Sequence, residues 1–228
     1  YTTGNTLSLH DALPIWQALR NMGQYDEALR AYQKAVDLDW DFGWAWNGHG
    51  LTLRSMGRIE ESLESYREAI RSNPSIIWYY INLMSALLAI GRRKEALQVA
   101  EEAAEVDPDH PTVWARHGQV LRRLGRFEAA LTSYDRAIQL DRHYAWAWNG
   151  KGMCLSSLGR IEEAAECYRN AVRFDDRDVW FWYNYGDTLF QLRQLREAKA
   201  AIEKALMVDP SHEQSHAKLS QIRRELDE

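Results

Sequence analysis

His212, Glu213 and His216 spell His-Glu-x-x-His, the spacing at which two imidazoles one helical turn apart can hold zinc while the glutamate activates a water. Only 12 residues follow His216 and none supplies a third ligand at a recognisable spacing, so no catalytic metal is expected there. Ser211 and Gln214 instead have the spacing of a capping box, which would open a final helix from His212 to about Leu226. Asp37, Asp39 and Asp41 alternate like calcium ligands, but the glycine comes one place late at Gly43, and Gly48 stands where the closing glutamate belongs. The Gly-His-Gly and Gly-Lys-Gly steps at 48–50 and 150–152 follow no strand, so neither is a phosphate loop. Cys154 and Cys167 form neither a Cys-x-x-Cys nor a metal quartet and read as small buried thiols. His49 and His117 hold equivalent places and read as structural, and no serine, histidine and acid can be assigned together. No catalytic residue, metal or cofactor is therefore expected.

The elements that must carry these residues are written in a repeat. Alanine recurs every 34 residues at 35, 69, 103, 137, 171 and 205, and glycine at 23, 57, 91, 125 and 159. Between Gly43 and Ile76, Trp46, Gly50 and Leu53 form one stripe of a helix, and Gly57 ends it. Ile59, Leu63, Tyr66 and Ile70 form a second stripe that Asn73-Pro74 stops, so the unit is a helical hairpin. Gly50, Gly118, Gly152 and Gly186 are expected to face Ser62, Ala130, Ala164 and Ala198 where the two helices approach.

The layout resembles the tetratricopeptide repeat over residues 9–212: Trp46, Gly50, Ser62, Tyr66, Ala69, Pro74; then Trp114, Gly118, Leu121, Ala130, Tyr134, Ala137; then Trp148, Gly152, Leu155, Ala164, Tyr168, Ala171. Met84, Arg93 and Ala100 depart from the pattern. Arg193 replaces a turn glycine, and Arg142 and Asp176 replace the terminal proline, so looser junctions are expected at those places. The fold class the resemblance implies is all-α, an α-α superhelix: a right-handed solenoid of helix-turn-helix repeats. The expected division is a non-native or disordered segment at 1–8, where no charged-then-apolar leader is legible, and six repeats at 9–42 (degenerate, with Pro14 inside its first helix), 43–76, 77–110, 111–144, 145–178 and 179–212. A polar capping helix over 213–228 would complete the array.

The resemblance further implies that the first helices line a concave groove, with Trp44, Trp78, Trp146 and Trp180 along it and Thr112 interrupting them. Trp46, Trp114, Trp148 and Trp182 stand about 200° further round and already meet the packing need, which leaves the first set as surplus aromatic surface. The same places carry Arg20, Arg54, Arg116, Arg122 and Arg123 against a single Asp187, a cationic strip in a chain of net charge −5. The expected partner is a protein or peptide with an apolar anchor, held by Trp44, Trp78, Ile81 and Leu88, beside an acidic or C-terminal carboxylate group held by Asn82, Arg116, Arg122 and Arg123. The carboxylate clamp of chaperone-binding relatives is matched at Asn82 and Arg116 but not at Asn47, Leu51 or Thr112.

The function read here is a non-enzymatic scaffold or adaptor. Binding of single-stranded RNA is an alternative on the arginine and aromatic content, opposed by the acidic total and the 34-residue register, and self-association through an apolar edge is another. The longest uncharged stretch, 76–90, is shorter than the roughly 20 residues that span a bilayer. A composition of 46% apolar and 27% charged residues, with only two cysteines, fits a cytoplasmic protein.

Overall fold

The structure, a computed structural model, describes residues 17–226. The segment expected at 1–8, the start of the degenerate repeat at 9–42 and the last two residues of the cap lie outside them. Among the described residues there are only helices, turns and bends. The chain divides into two compact units, one ending at Pro108 and one beginning at Asp109.

The first unit contains α1 (Tyr25–Leu38), α2 (Gly43–Ser55), α3 (Ile59–Ser72), α4 (Ile77–Ala89) and α5 (Arg93–Val106). The second contains α6 (Pro111–Arg123), α7 (Phe127–Leu140), α8 (Ala145–Ser157), α9 (Ile161–Phe174), α10 (Val179–Gln191), α11 (Leu195–Val208) and α12 (Glu213–Glu225). Within each unit consecutive helices pack as antiparallel neighbours, and every 13-residue first helix is followed by a 14-residue second helix. Among the described residues no helix is long and apolar enough to cross a membrane.

Two kinds of turn punctuate the hairpins. Gly57, Gly91, Gly125 and Gly159 end first helices at φ between 76° and 79°, in the left-handed region that glycine enters without steric cost. Arg193 takes the same place at φ 62°, so the looser geometry expected there is not seen: the arginine adopts the turn and its guanidinium reaches Glu225 of α12. A non-glycine residue in this region is strained by about 1 kcal/mol. Arg193→Gly is therefore expected to leave the melting temperature unchanged or raise it slightly, with the relieved strain set against an exposed ion pair. A loss of several degrees on thermal denaturation would contradict this.

Second helices end in an Asx turn, in which a side-chain carboxylate or amide oxygen accepts the backbone N–H two residues on. Asp39 accepts from Asp41, Asn73 from Ser75, Asp141 from His143, Asp175 from Arg177 and Asp209 from Ser211, over 2.9–3.2 Å. Of the alternating aspartates at 37–41, Asp39 forms this turn and Asp37 accepts from Gln33 Nε2 at 2.8 Å, and no cluster of metal-ligating side chains occurs among the described residues. The junction at Arg142 keeps the backbone turn bond seen elsewhere, Tyr144 N–H to Asp141 C=O at 3.2 Å, despite the missing proline. Indoles brace the following segment: Trp46, Trp148 and Trp182 each donate Nε1–H to the carbonyl six residues earlier, at Trp40, Arg142 and Asp176, over 2.8–2.9 Å. The tryptophans that repeat the packing pattern thus also clamp the inter-hairpin turn.

The helix glycines approach different partners from those expected. The Cβ directions of Gly50, Gly118 and Gly152 run into the rings of Tyr66, Tyr134 and Tyr168, and that of Gly186 into Ile202, not chiefly into the small residues of the second helix. A tyrosine ring laid across a bare backbone fills the space, and the alanines at 69, 103, 137, 171 and 205 are fully buried.

Candidate functional site

On the first unit, Trp44, Asn47, Leu51 and Arg54 fall at helical spacing along α2, and Trp78 and Asn82 share a side of α4. The two sides meet: Asn82 Nδ2 donates to Asn47 Oδ1 at 2.8 Å, across 35 residues of sequence. Trp44 and Trp78 are 48% and 50% exposed, large indole surfaces left in water beside that amide pair. Trp44 also packs edge-on against Tyr79, with ring centroids 5.8 Å apart. Leu88 is half-buried. Ile81 is not part of the surface: at 4% exposure it lies in the core, one residue before Asn82 and rotated inward by the helix, so the expected anchor loses that wall. Asn82, expected to hold an acid, already spends an amide hydrogen on Asn47.

An open hollow of about 400 Å³ lies beside this face, lined by Gln17, Arg20, Tyr32, Trp44, Asn47 and Leu51. Burial raises the Tyr32 hydroxyl above the usual phenol range, and the nearby Arg20 opposes that shift.

On the second unit, Arg116 and Gln119 stand three residues apart along α6, and the adjacent Arg122 and Arg123 follow Gln119 by three and four residues. The Arg116 guanidinium lies over the Trp146 ring, 4.7 Å from its centroid, and Nη1 donates to Gln119 Oε1 at 3.1 Å. Trp146 is consequently half-buried rather than open, which corrects the expectation of four equal indoles. Trp180 is open, at 48% exposure. Asn184 Nδ2 donates to Asn149 Oδ1 at 2.9 Å, the counterpart of the Asn82–Asn47 bond. The amide pairs are a feature that periodicity within one helix could not reveal, although Asn47 and Asn149 stand in identical Trp-Ala-Trp-Asn-Gly segments.

Arg116 and Arg122 have Nε atoms that are buried and make no hydrogen bond, and neither guanidinium forms an ion pair with an acidic residue among the described residues. Arg123 is exposed and forms no ion pair either. Arg122 lies beside the Tyr134 hydroxyl, whose ionisation burial pushes far above the usual range. A cation with an unsatisfied buried donor is in electrostatic debt, and a carboxylate oxygen is the group that discharges it most directly.

The residues that resembled a zinc motif are held apart. His212 is buried, its Nδ1 paired with Ser215 Oγ at 2.7 Å and its ring 4.6 Å from that of Trp180, whereas His216 Nε2 bonds the Pro210 carbonyl at 2.8 Å. The expected capping box is absent: α12 starts at Glu213 after His212, and the Ser211 hydroxyl donates to Asp209 at 2.7 Å. Asp209 fixes that serine first, because its carboxylate is already placed by the Asx turn. Burial pushes the thiols of Cys154 and Cys167 up to about 12 and about 11, so both stay protonated and inert near neutrality.

Four family models, each described as tetratricopeptide repeat, match residues 16–75, 77–120, 109–177 and 181–212. No curated protein matches the chain. Among solved structures, the chain is similar to the APC/C hetero-tetramer Cut9-Hcn1, with TM-score 0.78, 16% identity and 94% of this chain covered. This chain spans 43% of the length of that one. It is also similar to a tetratricopeptide repeat protein from Parabacteroides merdae, with TM-score 0.75, 17% identity and coverage of 96% and 86% of the two chains. YrrB, described as a TPR protein with an unusual peptide-binding site, aligns with TM-score 0.57, 24% identity and coverage of 82% and 97%.

Proposed function

Since the chain belongs to the tetratricopeptide repeat family, we propose that it is a non-enzymatic interaction module that takes a peptide segment of another protein on its indole and arginine faces. The observation that carries this reading is a mismatch with packing needs: Trp44, Trp78 and Trp180 stay about half exposed while Arg116 and Arg122 bury guanidinium nitrogen without an acidic partner. Indole surface beside uncompensated arginine is the composition of interface centres. The partner segment is one with an apolar side chain for the indoles and a carboxylate for the arginines. On the first unit Trp44, Trp78, Leu88 and Arg54 are assigned to it, with Asn82 helping through its remaining amide hydrogen. On the second, Arg116, Arg122, Arg123, Trp146 and Trp180 are.

The test is titration of an acidic peptide library against the parent and an Arg116/Arg122/Arg123→Ala variant. Half-buried charge-assisted contacts at Arg116 and Arg122 contribute on the order of 1.5 kcal/mol each, and the exposed Arg123 less, so affinity for the best binders is expected to fall at least about tenfold in the variant. Equal affinities across the library would reject the arginine role.

A further inference from the structure

The residue set that lines the hollow on the first unit recurs on the second. Gln17, Arg20, Tyr32, Trp44 and Asn47 recur unchanged 102 residues on as Gln119, Arg122, Tyr134, Trp146 and Asn149, three 34-residue periods away. The hairpin fold does not require this. At the intermediate positions the glutamine place holds Leu51 and Ser85, and the asparagine place holds Ile81 and Ala115, so side chains chosen for packing alone do not restore the set.

The geometry recurs with the residues. In each copy a tyrosine ring crosses a bare helix glycine, Tyr32 at Gly48 and Tyr134 at Gly150, where an added Cβ would come within 2.3 Å and 2.4 Å of the ring. In each copy the carbonyl oxygen of the asparagine accepts from a partner asparagine on the next first helix, at 2.8 Å and 2.9 Å, and in the second copy Asn149 Nδ2 also donates one hydrogen to Met153 Sδ at 3.8 Å. An arginine stands beside the tyrosine in both. The copies differ in two respects: Arg116 lies on the second indole, where the first has Pro14 in the sequence, and leaves Trp146 half-buried while Trp44 is 48% exposed, and Met153 stands where the first has Leu51.

We propose that each unit carries one binding subsite of the same chemistry, so that one chain takes two acidic–apolar peptide segments. This rests on the peptide-binding reading above and adds the number of segments and their chemistry. In each subsite the guanidinium and the amide nitrogens of glutamine and asparagine supply donors for a carboxylate, and the indole supplies the seat for a neighbouring apolar side chain. The carboxylate assigned to both subsites is a side-chain one, which a single partner can present more than once, whereas two C-terminal carboxylates would need two partner chains.

The test uses the full chain and an N-acetylated, C-amidated peptide carrying one Leu-Glu pair, titrated in a calorimeter. Two peptides per chain are expected. Trp44→Ala and, separately, the charge-removing Arg20→Gln should lower this to one; so should Trp146→Ala and Arg122→Gln, and the Trp44/Trp146 double variant should lose binding, with circular dichroism confirming retained helix in each. One peptide per chain, with the substitutions of one unit silent, would overturn the doubling while leaving a single peptide site intact. No binding by any peptide would overturn both readings. Binding only of a peptide with a free C-terminus and no acidic side chain would overturn the assignment of the carboxylate.

Discussion

Tyr134→Ala should destabilise the second unit by about 3–5 kcal/mol, the range for removing a fully buried aromatic ring and leaving its cavity. The ring is 1% exposed and fills the space above two glycines, Gly118 on α6 and Gly150 on α8, while its edge meets Trp146 with centroids 6.4 Å apart. Neither glycine has a side chain that could collapse into the void, so relaxation recovers little. Arg122 would also lose the hydroxyl beside it. Denaturant unfolding followed by circular dichroism checks this; a loss below about 1 kcal/mol would mean that the helices slide together and that the ring is not the spacer between them.

The reverse change tests the same contact from the other side. Gly150→Ala puts a Cβ 2.4 Å from the Tyr134 ring, and Gly48→Ala puts one 2.3 Å from Tyr32. Alanine is the better helix former by about 1 kcal/mol, so a helix read in isolation would be stabilised. Overpacking a rigid ring costs about 1–3 kcal/mol, and here the overlap is too deep for a side-chain rotation to absorb, so a net loss is expected. If either variant instead melts higher than the parent, the close approach of ring and backbone is wrong. The two substitutions lie in different units and share no side-chain partner in the structure, so their effects should add.

Much of the fold was legible because it follows from local rules. A 34-residue interval of alanine and glycine marks the repeat; apolar spacing marks two amphipathic helices; the glycines at 57, 91, 125 and 159 mark turns, since only that residue enters the left-handed region freely. That Trp44 and its equivalents line the groove was implied by the family resemblance, with helical angle adding only that Trp46 and its equivalents stand about 200° away; Trp44, Trp78 and Trp180 are about half exposed. Trp146 broke the pattern because Arg116, a neighbour on another helix, covers it. Ile81 was placed by its position in the family's repeat, which does not show how far the neighbouring helices wrap round to cover it.

The sequence by itself determined that the chain repeats a two-helix unit, where the glycine turns fall, and which side chains share a stripe, because those properties depend on backbone preference and on Cβ directions within one helix. Only the tertiary structure decided which stripes meet: that Asn82 reaches Asn47 and Asn184 reaches Asn149, that Tyr134 lies across two glycines, that Ser211 turns to Asp209, and that Arg122 buries a nitrogen without an acid to receive it. Those pairings depend on the rotation and separation of neighbouring helices. Packing sets these quantities by summing many weak contacts from both sides, and no stretch of one helix encodes them alone.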